Sequence, residues 1–307
     1  MKDSKRPMRR DPASTSSAKR SVKTGAAPRE ISYSFSAKSR AGRAVVRTIE
    51  NLTGRPRLLK MALGYETEVE KGRDFWEVMQ ERYQIDLRIL GEGLEGIPSE
   101  GPLVLVANHP YGILDGLAMG RILSATREEF KIIAHVVFKK ARDLDNVILP
   151  IDFGEDKDAM AINIKTRKEA LSYLGNGGAV GIFPGGTVST SAKPFSKAMD
   201  PQWKTFTARM IAKSKATVVP IFFDGSNSRL FQVASHLNQT LRVALLINEF
   251  DNKIKDPLNV YIGKPLPREE IDSRATDARA LMDYLRRETY ALNPQREKDF
   301  SYGLYLG

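Results

Sequence analysis

The stretch Asn108-His109-Pro110-Tyr111-Gly112-Ile113-Leu114-Asp115-Gly116 sets an imidazole and a carboxylate on either side of a turn containing Pro and Gly. A carboxylate on one ring nitrogen fixes the tautomer and favours the imidazolium that forms when the ring takes up a proton. The other nitrogen is then free to receive that proton from a hydroxyl. A turn His also commonly meets a backbone group instead, so the pair gains meaning only from its setting. A short β-rich apolar run, Leu103–Ala107, leads straight into it, and ligands of open α/β sheets gather at such strand ends.

Three further segments carry comparable signals. Val147-Ile-Leu-Pro150-Ile-Asp152-Phe153 follows a basic stretch with Lys139, Lys140 and Arg142. Gly181-Ile-Phe183-Pro184-Gly185-Gly186-Thr187-Val188-Ser189 ends an apolar run in a Gly-rich turn, and Val218-Val-Pro220-Ile-Phe-Phe223 closes another. Glycine lets the main chain approach a ligand closely, so the N–H groups around Gly185, Gly186 and Thr187 are candidates to hold an oxyanion. The hydroxyls of Thr187 and Ser189 either bind an acceptor or simply close the turn.

Cysteine is absent and histidine occurs three times. Disulfide scaffolds, Cys-ligated zinc, iron–sulfur clusters and a cysteine nucleophile are excluded. Three His alone cannot build a His-rich metal centre. His135 lies in an apolar strand pattern and reads as a core residue, and His236 falls in a polar loop. No apolar run reaches the length of a membrane span, and no secretory signal is expected.

The elements that must position these groups alternate between strand and helix from Ile85 onward. Strands are expected at Ile85–Leu90, Leu103–Ala107, Lys131–Phe138, Val147–Phe153, Ala179–Phe183, Thr217–Phe223 and Val260–Ile262. Helices are expected at Ile113–Ser124, Asp158–Leu174, Trp203–Lys213, Leu241–Glu249 and Asp277–Ala291. This order predicts an α/β domain with a largely parallel mixed sheet and helices on both faces. Three amphipathic helical patterns precede it, at Gly42–Leu52, Arg57–Leu63 and Val69–Tyr83. The expected organisation is a basic arm (1–38), a helical segment (39–84), the α/β domain (85–295) and a C-terminal tail (296–307).

Net charge is +11, but residues 1–60 hold 16 Lys/Arg against 4 Asp/Glu, while the remainder, 32 against 33, is near neutral. The arm is rich in Ser, Pro and Lys/Arg and poor in large apolar residues, so it cannot offset its own ordering entropy. Anionic lipid or nucleic acid would attract it, but no nucleic-acid module accompanies it. The helical segment either packs on the core alone or also offers Arg/Lys and Leu/Met/Trp to a membrane surface.

The four blocks, in this order over roughly residues 85–265, resemble the lysophospholipid/glycerol-phosphate acyltransferase (PlsC-like) family. Those enzymes carry an Asn-His-(four residues)-Asp block, a Phe-Pro-Glu-Gly-Thr block and a Val-Pro-Ile/Val block. They move a fatty acyl group from a thioester to a hydroxyl of a lipid precursor. Here five residues separate His109 from Asp115, in a form similar to the hemolysin-like or ornithine-lipid acyltransferase-like bacterial branch. Gly185 stands where the family has Glu, and no Arg matches the family's acceptor-binding Arg near Pro150–Phe153.

The resemblance implies a PlsC-like fold with His109 as general base and Asp115 as its orienting partner. It further implies substrate contacts from Asn108, Tyr111, Gly112, Lys139, Gly185, Gly186 and Thr187. Lys139, Lys140 and Lys193 are candidates to meet the phosphates of a CoA donor or an acceptor headgroup, or an acidic carrier protein, although a pair such as Lys139-Lys140 is more often a solvated face. The donor is acyl-CoA or acyl-carrier protein, and the acceptor a lysophospholipid or a lyso-aminolipid. No metal or resident cofactor is implied. The expected place is the cytoplasmic face of the cell membrane, held peripherally on its anionic surface, with no specific nucleic-acid partner. Two readings compete: a serine hydrolase, for which no Gly-x-Ser-x-Gly elbow is present because Gly225-Ser226-Asn227-Ser228 ends in Ser, and a lipid- or nucleic-acid-binding protein, driven by the basic arm, without acyl transfer.

Overall fold

A computed structural model describes residues 32–34, 37, 39–136, 138, 142–152, 154, 156–295 and 300–305. Most of the expected basic arm lies outside the described residues, as do Lys139, Lys140 and Phe153. The strands are β1 (Leu87–Gly91), β2 (Leu103–Ala107), β3 (Phe130–His135), β4 (Ile148–Ile151), β5 (Ala179–Ile182), β6 (Thr190–Ser191), β7 (Ala198–Met199), β8 (Thr217–Phe223) and β9 (Leu258–Ile262). The helices are α1 (Arg40–Leu52), α2 (Arg55–Ala62), α3 (Tyr65–Glu70), α4 (Phe75–Arg82), α5 (Ile113–Thr126), α6 (Lys157–Gly175), α7 (Phe206–Ser214), α8 (Arg229–Leu237), α9 (Gln239–Lys253), α10 (Arg268–Asp272) and α11 (Ala278–Ala291).

Seven strands form one sheet in the order β1-β9-β8-β2-β5-β3-β4, and β6 pairs with β7 in a small antiparallel hairpin. β8, β2, β5, β3 and β4 run parallel. β9 pairs antiparallel with β8 and parallel with β1. The sheet is therefore mixed and largely parallel, as the strand–helix alternation predicts.

β2 is the middle strand, and all five of its residues are fully buried. Leu103, Leu105 and Ala107 join a core with α4, α5 and α9, while Val104 and Val106 join a second core with α6, α7 and α11. A strand covered on both faces must be apolar at every position, which is why β2 reads as an unbroken run rather than an alternating one. The chain builds outward from β2 through β3 and β4, returns to β5, then passes to β8 on the other side of β2. The loops leaving β5, β2 and β8 consequently converge at one sheet edge.

Three expectations need correction. The single helix expected over Val69–Tyr83 is two, because Gly72 takes φ +92° and the Asp74 side chain caps α4 by accepting from Glu77 N–H. The strand expected to reach Phe138 ends at His135. Of the apolar positions grouped on one face of α1, Val46 packs on Val243 and Ala244 of α9, whereas Val45 and Leu52 are exposed. Helix α8 and the β6–β7 hairpin are additions to the expected elements, although α8 sets Leu230, Phe231, Ala234 and Leu237 at helical spacing. Residues 300–305 of the expected tail lie against that hairpin, with Gly303 N–H on Asp200 carbonyl and Leu304 N–H on Thr190 carbonyl.

Helix α5, which carries Asp115, is seated by close contact. A Cβ on Gly120 would come within 2.1 Å of the Trp76 ring of α4, and one on Gly181 of β5 within 2.9 Å of Met119. Gly120→Ala should therefore cost about 1–3 kcal/mol by overpacking. Gly116→Ala, on the same helix but facing open space, should not destabilise. Urea midpoints of the two variants check this contrast.

Candidate active site

His109 follows β2 by two residues, and Asp115 is the third residue of α5. Nδ1 of His109 lies 2.9 Å from Oδ2 of Asp115. The same oxygen accepts from the N–H groups of Tyr111 (2.8 Å) and Gly112 (2.9 Å). Asp115 thus caps the N-terminus of α5, where the helix dipole favours a negative charge, and uses that anchorage to orient the imidazole. Its side chain is fully buried, while that of His109 is 19% exposed. Burial pushes the Asp115 carboxyl above the usual carboxylate range; His109 and the two N–H groups oppose this. Gly112 can make the turn because it takes φ +88°.

The Phe183 ring stacks on the imidazole, with centroids 4.4 Å apart and planes 27° apart. The loop after β5 continues beneath the pair. Ser189 N–H donates to the His109 carbonyl at 2.8 Å, and the His109 N–H donates to Asp200 Oδ1 at 3.1 Å. The His109 peptide is gripped on both sides. Gly186 N–H is occupied by the Phe183 carbonyl at 3.0 Å, so it is not the oxyanion donor the sequence suggested. Gly185 and Thr187 N–H find no acceptor among the described residues.

Several residues expected at the substrate instead hold the fold. Asn108 is buried, with both ends of its amide bonded to Phe223 of β8, at 2.9 Å to the carbonyl and 2.7 Å from the N–H. Tyr111 is buried and donates to the Asp224 carbonyl at 2.7 Å. The Ser189 hydroxyl is buried and donates to Asp200. These three align the loops after β2, β5 and β8 rather than facing a ligand. Lys139 lies outside the described residues. Lys193 is exposed, in the loop between β6 and β7.

The geometry also brings in residues without a sequence signal. Tyr33 packs against Val188 and Leu246, and its hydroxyl lies where a Cβ on Gly112 would come within 3.3 Å. Its N–H and the Ser32 hydroxyl are held by the buried Glu50 carboxylate, at 2.6 and 2.5 Å. Arg242 of α9 is buried and donates to Thr190 Oγ1 (2.6 Å), Ser235 Oγ (2.8 Å), the Val188 carbonyl (2.9 Å) and Thr187 Oγ1 (3.2 Å). Burial lowers its pKa to about 10, against the pull of Tyr33. With its oxygen engaged by a guanidinium, the Thr187 hydroxyl is left to donate.

A family model described as Acyltransferase matches residues 57–298. The chain belongs to this acyltransferase family. Two relatives are each named lyso-glycine lipid O-acyltransferase. The protein of Bacteroides thetaiotaomicron is 28% identical over 229 residues, covering 69% of this chain and 78% of its own. That of Phocaeicola vulgatus is 26% identical over 215 residues, covering 67% and 74%. A solved structure, the 1-acyl-sn-glycerophosphate acyltransferase PlsC from Thermotoga maritima, aligns over 86% of this chain and 87% of its own, with TM-score 0.44 and 18% identity.

The remaining polar groups of the acyltransferase have other duties. Ser228 caps α8 and donates to Glu249 at 2.5 Å. His236, expected in a polar loop, is in the last turn of α8, and its ring lies 3.0 Å from the Ser191 carbonyl. His135 is half-buried, and burial lowers its pKa. Among the described residues no group of three or more His, Asp and Glu is placed to hold a metal ion.

Asp115 sets a pH test. Its folded-state pKa is raised, so its contribution to stability is full below about pH 4 and is lost as pH rises through the folded value. Asp115→Asn removes that loss and keeps an acceptor for Tyr111 and Gly112. Its melting temperature should gain on the native protein's as pH rises from about 4, while turnover falls about 10²–10⁴-fold. Thermal melts at rising pH, with acyl-transfer assays alongside, check both outcomes.

Proposed function

We propose that the protein is a lyso-lipid O-acyltransferase that moves a fatty acyl group from an acyl thioester to an acceptor hydroxyl, with His109 as general base. The observation that carries this reading is the His109–Asp115 pair, with one nitrogen on a buried carboxylate and the ring partly open to solvent. Nε2 removes the acceptor's hydroxyl proton as the oxygen bonds to the thioester carbonyl. The tetrahedral oxyanion is met by N–H groups of Gly185 and Thr187 and by the Thr187 hydroxyl, with the Arg242 charge behind them. Collapse breaks the carbon–sulfur bond, and the imidazolium returns its proton to the departing thiolate. Asp115 offsets the transient positive charge throughout.

The names of the two relatives favour a lyso-aminolipid acceptor over a lysophospholipid. The donor, acyl-CoA or acyl-carrier protein, serves as co-substrate. A peripheral place on the cytoplasmic, anionic membrane surface fits two features. Val45, Leu52, Leu63, Leu230, Leu237 and Leu241 are exposed on α1, the end of α2, α8 and α9. Arg43, Arg57, Lys60 and Arg229 are exposed on the same elements, which suits headgroup contact around buried apolar tips. Among the described residues no helix is long and apolar enough to cross a membrane.

His109→Ala should lower turnover about 10²–10⁴-fold while leaving the protein folded and its vesicle binding intact. A deletion strain should accumulate a lyso-lipid and lose its acylated form, as read by lipid mass spectrometry. Wild-type turnover by the purified variant, or an unchanged lipid profile, would overturn the reading.

A further inference from the structure

We infer that Asp200 is a positioning residue for acyl transfer, supplying from the β7–α7 connection the carboxylate that the Phe183-Pro184-Gly185-Gly186 turn lacks. The inference rests on the acyl-transfer reading above. Asp200 is fully buried. Oδ1 accepts from the His109 N–H (3.1 Å) and the Ser189 hydroxyl (2.5 Å), and Oδ2 from the Trp203 indole N–H (2.8 Å). No cation forms an ion pair with it among the described residues. A charge taken out of water and met only by neutral donors is an expensive way to fill space.

Its own main chain is pinned. The Asp200 N–H donates to the Tyr290 hydroxyl at 2.8 Å, and its carbonyl accepts from Arg286 (3.1 Å) and Gly303 N–H (2.9 Å). The carboxylate therefore cannot drift from the catalytic loop. Gly185 shows why this matters. Its φ is not in the left-handed region, so glycine is not required there for backbone shape. What glycine provides is room: a Cβ at 185 would stand 3.2 Å from Asp200 Oδ2 and 3.3 Å from its Cγ. The carboxylate of residue 200 fills the space that a side chain at 185 would enter.

The consequence for chemistry runs through the backbone. Asp200 holds the His109 N–H while Ser189 N–H holds the His109 carbonyl, so the peptide that carries the imidazole cannot rotate. The ring is then delivered to Asp115 on one side and to the acceptor on the other. Misplacement of a catalytic base by about 1 Å is enough to cost roughly 10²-fold in rate. Loss of Asp200 should appear in kcat, because its carboxylate is fully buried and bonded to protein donors.

The test compares Asp200→Asn, Asp200→Gly and the relocation variant Gly185→Asp/Asp200→Gly. Asp200→Asn should lower kcat about 10–100-fold with both KM values within about twofold. Asp200→Gly should fall further, and moving the carboxylate to residue 185 should recover at least about tenfold. The protein has two Trp residues, so its indole N–H resonances are resolved in a ¹⁵N-labelled sample. The Trp203 peak should move in both single variants and return toward its native position in the relocation variant, while the Trp76 peak stays. Wild-type kcat in the single variants, a change confined to KM, or a restored Trp203 peak without restored turnover would overturn the inference. If the native protein acylated no lyso-lipid, the functional reading would fail instead, and the Trp203 signal would still report whether Asp200 braces the loop.

Discussion

A carboxylate held out of water against a half-open imidazole is the interaction on which the rest of the structure depends. Left alone, the Asp115 charge would be too costly to bury. Three features share that cost: the first turn of α5, the N–H groups of Tyr111 and Gly112, and the His109 ring. The helix in turn stays in place because α4 and β5 meet it where Gly120 and Gly181 leave no gap. Packing several residues away is thus a condition of the electrostatics at the site, and the site's chemistry is a condition on which residues the core can accept.

Strand order explains why the loops meet. β2 lies at the centre, between β5 and β8. Asn108 ties the end of β2 to Phe223 on β8, and Ser189 N–H ties the loop after β5 back to His109. Side chains that look from sequence like substrate contacts are used as clamps between neighbouring strand ends. Among the described residues of these loops, the Gly185 and Thr187 N–H groups have no protein acceptor, and the Thr187 hydroxyl beside them is backed by the buried Arg242. Such a surface suits an oxygen that gains charge during reaction more than one charged beforehand.

The sheet and the His–Asp pair were legible in the sequence because their causes are local. Leu103–Ala107 must be continuously apolar to be a doubly covered strand, and Asp115 must follow a turn to cap a helix. Asp200, Arg242 and Tyr33 were not legible. Asp200 lies in a hairpin exit with no periodicity. Arg242 stands at the head of the apolar run 243–247 of α9, and Tyr33 is an aromatic within a stretch rich in Ser and Lys/Arg. Each acquires its role only by long-range closure, 91 residues separating Asp200 from His109 and 55 separating Arg242 from Thr187. Gly185 was a partial clue: an unusual residue in a familiar turn marks a place that another side chain has come to occupy.

Tyr33 has a geometric consequence. Its hydroxyl lies where a Cβ on Gly112 would come within 3.3 Å, so an N-terminal residue rests on the turn that joins His109 to Asp115. A smaller side chain at residue 33 would therefore loosen the turn between the imidazole and its carboxylate, although many residues of the chain separate the two.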